Sequence, residues 1–540
     1  MKQILLITAA LMIMSIQSKS QETLDIKALK AEYSWTIPEK SFITDTIVIK
    51  GEIENYAPYQ SIIKTFECYS FDEFEEQTAS SISINPDGTF EKKIRISYPI
   101  YNVFYKRFGR KSFDIPFFAF PGDTVEVVAK FKDGKLECTY PTGRCKQFER
   151  LLQYFSSWNE FAKKTIDYDD GFDNFADFAE TIWNELLTKV YHDGLNATFS
   201  KEEMSLALSL AQSQYAYLTL VTLSKMREDC YETKTEGDFS YLSLKDTALY
   251  NRMIDPAYYQ YLNHIDFSDK ALLCDRNMMI VLNYIPWVLF PYSQNHMIGN
   301  LYPPQDVENT KAYFPHSDSL LRKTLHTTDN SLTAQMIMYH KIRMFDKMVW
   351  KNMPTDSIKM IRDFILPKLE FKPIRIKAEQ LFYARLNDSS STYPMRKCEA
   401  TAFIDSLRNV YKGKYLYLDF WQMSCGPCRM AIESSKDLRK KIAQNPDIKL
   451  VFVNGDNPKS EAMKNYVKQH LADEVTIAPG GNTFIALRDV FNFSGIPHFE
   501  VITPNGNVVK EDCIDFGIRH NNDYEQFVQG IEKMKKKVEK

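Results

Sequence analysis

The sequence has no glycine-rich phosphate loop, no His-Glu-x-x-His, no Gly-x-Ser-x-Gly and only one Cys-x-x-Cys. Those absences remove the usual signatures of nucleotide-phosphate, zinc-peptidase and serine-hydrolase chemistry. Cysteine is sparse, nine in 540 residues, which excludes a small disulfide-stapled scaffold. No charge sign dominates. The net charge is −3, and the one basic run, residues 533–537, reads as a solvated helix end rather than a nucleic-acid arm. No internal apolar run reaches the ~20 residues that span a bilayer. The most apolar stretch, residues 278–292, is interrupted by Pro286 and reads as a buried helix.

What remains is the composition of a soluble globular protein, 44% hydrophobic and 25% charged. Its length exceeds what one core organises and implies two to four domains. The 31 Tyr and 36 Phe are scattered, as core-filling aromatics are. At the N-terminus, Lys2 precedes an uncharged apolar stretch over residues 4–16, and Ser18 and Ser20 offer the small residues that a signal peptidase reads. This pattern predicts a signal peptide over residues 1–20 and a mature chain starting near Gln21. An uncleaved anchor is the alternative, but the apolar run is short for a span. No cysteine directly follows the run, so no lipid attachment is expected there. The expected location is the periplasm or another extracytoplasmic space, without stable membrane insertion after cleavage.

The periodicity divides the mature chain into three. Residues 21–145 read as an N-terminal antiparallel β-sandwich or barrel. Short alternating runs are punctuated by Asn85-Pro-Asp-Gly88 and Asp133-Gly134, and Asp-Gly between such runs signals a hairpin. Residues 146–398 read as an all-α region with helix following helix. Phe178, Ile182, Leu186 and Val190 make one apolar stripe, and Ser200 with Glu203 forms a capping-box start. Residues 399–540 alternate strand and helix, an α/β domain that closes with a hairpin and a helix. Seven cysteines stand alone. Cys138 and Cys145 are spaced to pair across a short loop, or to remain buried free thiols.

Cys425-Gly-Pro-Cys428 follows a run over residues 415–420 that is apolar and aromatic apart from Asp419, and it opens a helix. A cysteine at a helix N-terminus faces free backbone N–H groups and the positive end of the dipole, which stabilise its thiolate. Thiolate is the nucleophile of disulfide exchange, and Cys428, one turn further in, is placed to resolve the mixed disulfide. A lone Cys-x-x-Cys is also half a zinc site. Tetrahedral zinc needs two more ligands at compact spacing, and His470, His498 and His520 are scattered singles. Dithiol redox chemistry is therefore expected, with no metal and no organic cofactor.

The stretch Tyr417-Leu-Asp-Phe-Trp-Gln-Met-Ser-Cys-Gly-Pro-Cys-Arg-Met430 resembles the active-site strand and helix of thioredoxins. With Lys412-Gly-Lys414, Gly495-Ile-Pro497, the leader and Gly122-Asp-Thr124 in the β-region, it is most similar to exported TlpA-like thiol–disulfide oxidoreductases. The resemblance covers about the last 140 residues and part of the β-region. It implies Cys425 as the attacking and Cys428 as the resolving cysteine of a redox-active disulfide. Trp421 becomes the aromatic packed beside them, and Ile496 and Pro497 a cis-proline segment that pairs with substrate. Asp419 falls where thioredoxins bury a carboxylate, which would take the proton of Cys428; a solvent-facing strand residue is the alternative. Three departures stand out: Ser424 in place of a tryptophan, Phe452 in place of a lysine, and His498 after the proline, which either stabilises the thiolate or is an ordinary structural histidine. The expected activity is reduction of disulfides in client proteins, supplied by a membrane or periplasmic electron donor. Oxidation or isomerisation of clients is the alternative, as is a binding or scaffold protein with a subordinate redox-sensing domain.

Overall fold

The computed structural model describes residues 24–71, 77–108, 111–154, 161, 164–165, 167–228, 230–236, 239–253, 255–288, 306–325, 331–348, 350, 353–387, 390–491, 493, 495–510, 513–514, 516–518 and 523–539. The expected signal peptide, residues 1–20, lies outside them. The described residues fall into two compact units, one drawn from residues 24–37, 148–288 and 323–325, the other from residues 38–147, 306–322 and 331–539.

In the second unit, eight strands build two open four-stranded sheets: β1 (Asp45–Glu54), β2 (Thr65–Phe71), β3 (Gln77–Ser83), β4 (Thr89–Ile96), β5 (Ile100–Phe108), β6 (Lys111–Ala119), β7 (Thr124–Lys132) and β8 (Lys135–Thr139). Their orders are β4-β1-β7-β8 and β3-β2-β5-β6, and no closed barrel forms among the described residues. The first sheet is mixed rather than antiparallel throughout, because β1 runs parallel to β7. Gly51 permits that pairing: a Cβ there would stand 1.9 Å from the Val127 carbonyl oxygen. Asp133 and Gly134 both take positive φ (49° and 74°) and join β7 to β8, so this Asp-Gly makes the expected hairpin. Asn85–Gly88 also turns, with Gly88 N–H donating to Asn85 O at 2.9 Å. Here, however, the strands on either side do not pair. β3 and β4 are edge strands of different sheets. The five residues 84–88 can reach about 16 Å, enough to cross between layers about 10 Å apart. Cys138 and Cys145 are not joined. Cys145 Sγ meets Phe118 O at 3.3 Å, and burial pushes both thiols up to about 12, so they stay protonated and unreactive at neutral pH.

The first unit is helical around Phe175–Asn196 and Lys201–Glu228. Ser200 and Glu203 form the expected capping box, and Glu203 Oε1 also accepts the N–H groups of Arg150 and Leu151, capping a second helix. One feature departs from an unbroken helical run: β9 (Tyr231–Glu236) and β10 (Phe239–Leu244) form an antiparallel hairpin. The apolar helix spans Arg276–Val288 with Pro286 inside it, and residues 289–292 lie outside the described residues. Among the described residues no helix is long and apolar enough to cross a membrane.

The C-terminal region carries a six-stranded sheet in the order β11-β16-β15-β12-β13-β14, with β11 (Thr392–Pro394), β12 (Tyr415–Trp421), β13 (Ile448–Asn454), β14 (Val475–Ile477), β15 (His498–Ile502) and β16 (Asn507–Val509). β12 lies in the middle, parallel to β13 and antiparallel to β15. Every residue of β12 is buried, which is why its sequence, Asp419 apart, is apolar without alternation. Tyr415, Tyr417 and Trp421 face one core; Leu416, Leu418 and Phe420 face the other.

Candidate active site

After β12 the chain turns through Gln422, Met423 and Ser424 into helix α1 (Gly426–Ser434), whose N-cap is Cys425. Pro427 sits in the first turn, where its missing N–H costs no hydrogen bond and its fixed φ suits a helix start. Cys425 and Cys428 are joined by a disulfide, with Cα atoms 5.3 Å apart. Cys425 Sγ accepts the N–H of Cys428 at 3.2 Å, the contact that would stabilise a thiolate after reduction. The two sulfurs are not equivalent: Cys425 is 9% exposed and Cys428 1%. Between them Gly426 faces open space, and Ser424 and Pro427 are exposed.

Asp419 is 3% exposed, so the solvent-facing alternative does not hold. By strand alternation its side chain shares the face of Tyr417 and Trp421, where Cys425 and Cys428 pack. It stands opposite Phe452 on β13 and Phe499 on β15. Trp421 is fully buried in that core against Tyr466, ring centroids 5.3 Å apart. The Ile496–Pro497 peptide bond is cis; Ile496 packs on both cores, and Pro497 is exposed. His498 does not join the dithiol face. It pairs with Phe420 across the sheet, stacks on Phe493 at 4.1 Å, and sets Nε2 2.8 Å from Glu500 Oε1. A directly thiolate-stabilising His498 is therefore not what this geometry provides.

Two supporting residues escaped the sequence reading. Arg439, on the helix Lys436–Ile442, is 3% exposed. It pairs with Glu474 at 3.0 Å, donates to the carbonyls of Ile432 and His470, and lies over the Phe452 ring. A buried cation thus lies behind Phe452, committed to Glu474 and to the end of α1. Arg439→Ala is expected to destabilise this region by about 3–5 kcal/mol, because it strands a buried carboxylate; chemical denaturation would check it, and a loss under ~1 kcal/mol would contradict it. The other residue is Asp456, whose Oδ2 accepts the Met423 N–H at 2.7 Å. Nothing in the local pattern marks Arg439 as buried, whereas Asn-x-Asp at a strand end was a legible turn signal. Among the described residues, no group of three or more His, Cys, Asp or Glu side chains is placed to hold a metal ion.

Residues 413–508 match the thioredoxin-like family model. No curated protein compared is significantly similar to the chain. Among solved structures, the thioredoxin domain of a thiol-disulfide oxidoreductase from Bacteroides vulgatus is 22% identical, over 22% of this chain and 81% of that one, with a TM-score of 0.18. A thiol:disulfide interchange protein from a Bacteroides species is 19% identical over 23% and 77%, with a TM-score of 0.18. A thioredoxin-like protein from Bacteroides caccae is 9% identical over 56% and 89%, with a TM-score of 0.21. With the family match lying over the β12–α1 segment and the strands around it, the C-terminal part of this chain is a thioredoxin-like domain.

Proposed function

We propose that this protein is an exported thiol–disulfide oxidoreductase that reduces disulfides in client proteins. The observation that carries the reading is the Cys425–Cys428 pair at the N-terminus of α1, with Cys425 as the N-cap and Cys428 buried behind it. In the reduced protein the Cys425 thiolate attacks one sulfur of a client disulfide, and the other client sulfur leaves as thiolate. Cys428, giving its proton to Asp419, then attacks Cys425 Sγ. The second client thiolate is released, and two electrons have passed to the client. An electron donor in the same compartment restores the dithiol. No metal or organic cofactor takes part. Export rests on the leader-like residues 1–20.

The direction of electron flow is tested by equilibrating the dithiol with glutathione redox buffers. A potential near about −270 mV is expected for a reductase, and one near about −120 mV would assign client oxidation instead.

A further inference from the structure

The turn that delivers Cys425 to its helix is braced from the neighbouring strand. β12 and β13 end side by side, Trp421 opposite Asn454. Beyond that pair, Gly455 N–H donates to Trp421 O at 3.0 Å. Met423 N–H donates to Asp456 Oδ2 at 2.7 Å. The same carboxylate oxygen accepts Asn454 Nδ2 at 3.0 Å, and Asp456 N–H returns a bond to Asn454 Oδ1 at 2.8 Å. Asn454 is fully buried, so its side chain is fixed and in turn fixes the carboxylate. Gly455 has no slack either, since a Cβ there would meet Phe484 at 2.7 Å and Gln422 Nε2 at 2.8 Å. On the near side, Cys425 N–H donates to Gln422 O at 3.0 Å. One carboxylate, two residues past the end of β13, therefore holds the amide two residues before the attacking cysteine.

We propose that Asp456 is a positioning residue for the dithiol, holding the Met423 amide so that Cys425 Sγ stays against the first-turn N–H groups of α1. The proposal rests on the redox reading above. Asp456 does two separable things. Its hydrogen bond fixes the turn, which favours the Cys425 thiolate by keeping it on the helix N-terminus. Its negative charge lies near the site and disfavours that thiolate. Positioning and charge pull in opposite directions, so substitutions can tell them apart.

The experiment follows the exchange of the reduced full-length protein with oxidised glutathione and titrates the Cys425 thiolate by its ultraviolet absorbance. Asp456→Ala is expected to slow exchange roughly ten- to a hundredfold and to raise the Cys425 pKa, as misplacement of a reacting group does. Asp456→Asn keeps an acceptor in place and removes the charge, so it restores most of the rate and leaves the Cys425 pKa at or below that of the parent. Asp456→Glu keeps the charge but moves the acceptor, and its rate falls with that of the alanine variant. Should the alanine variant fail to fold, the asparagine and glutamate variants still carry the comparison. If asparagine and alanine behave alike, or if the alanine variant exchanges at the parent rate, Asp456 does not position the dithiol. If the parent protein itself does not exchange, the redox reading fails, and that outcome is distinguishable from failure of the Asp456 proposal alone.

Discussion

Cys425→Ser is expected to bring disulfide exchange down to the uncatalysed background, and Cys428→Ser to stop it halfway. A serine hydroxyl at the N-cap still accepts the Cys428 N–H, so the helix start survives. It is not a thiolate and forms no bond to a client sulfur. Cys428→Ser leaves the first attack intact but removes the sulfur that resolves the adduct, so a mixed disulfide through Cys425 should accumulate with each disulfide substrate offered. Mass spectrometry of non-reduced peptides checks both outcomes. Normal turnover by Cys428→Ser without an adduct would point to another resolving thiol. Cys138 and Cys145 are poor candidates, since burial keeps them protonated, whereas Cys398 is exposed and Cys513 shares the buried core of the dithiol.

The second large effect is expected at Asp419. An asparagine there preserves shape while removing the proton acceptor, so the resolving step should slow by about a hundredfold, at the lower end of what a positioned base contributes. The first attack, made by Cys425, should change little. The signature is a long-lived mixed disulfide in single-turnover experiments near pH 7. The defect should shrink as pH rises toward the ordinary thiol value of about 8.5, because Cys428 then loses its proton without help. If adduct decay is unchanged and only stability shifts, Asp419 is a packing residue of the dithiol-side core rather than a base.

The parts of this protein legible in its sequence are those whose chemistry is short-range. Pro427 and the cysteine N-cap mark the start of α1 by backbone geometry alone. The run 415–420 reads as a strand covered on both faces because its apolar and aromatic residues do not alternate with polar ones, Asp419 being the one exception. Asp133-Gly134 makes its hairpin because positive φ at two successive residues is a local requirement. Asp419 was found through a resemblance, and its burial was settled by the sheet around it.

Other features depended on what the chain meets far away. The turn at Asn85–Gly88 is as clear a signal as Asp133-Gly134, yet it carries the chain between sheets, because β1 and β2 claim the strands on its two sides. β1 lies parallel to β7, seventy-odd positions later, through a close approach that Gly51 alone permits. His498 adjoins the proline in sequence but stands on the far side of the sheet, since alternation along β15 sends its ring to Phe493 and Phe420. Sequence by itself marked the Cys425 and Cys428 pair at the start of a helix after a buried strand. Tertiary structure decided what surrounds it: Asp419 on the dithiol face, Arg439 buried behind Phe452, His498 turned away and Asp456 bracing the turn. The reason is physical: a cap or a two-residue turn is fixed by neighbours along the chain, whereas the face a side chain occupies is fixed by strands that pair only once the whole sheet has formed.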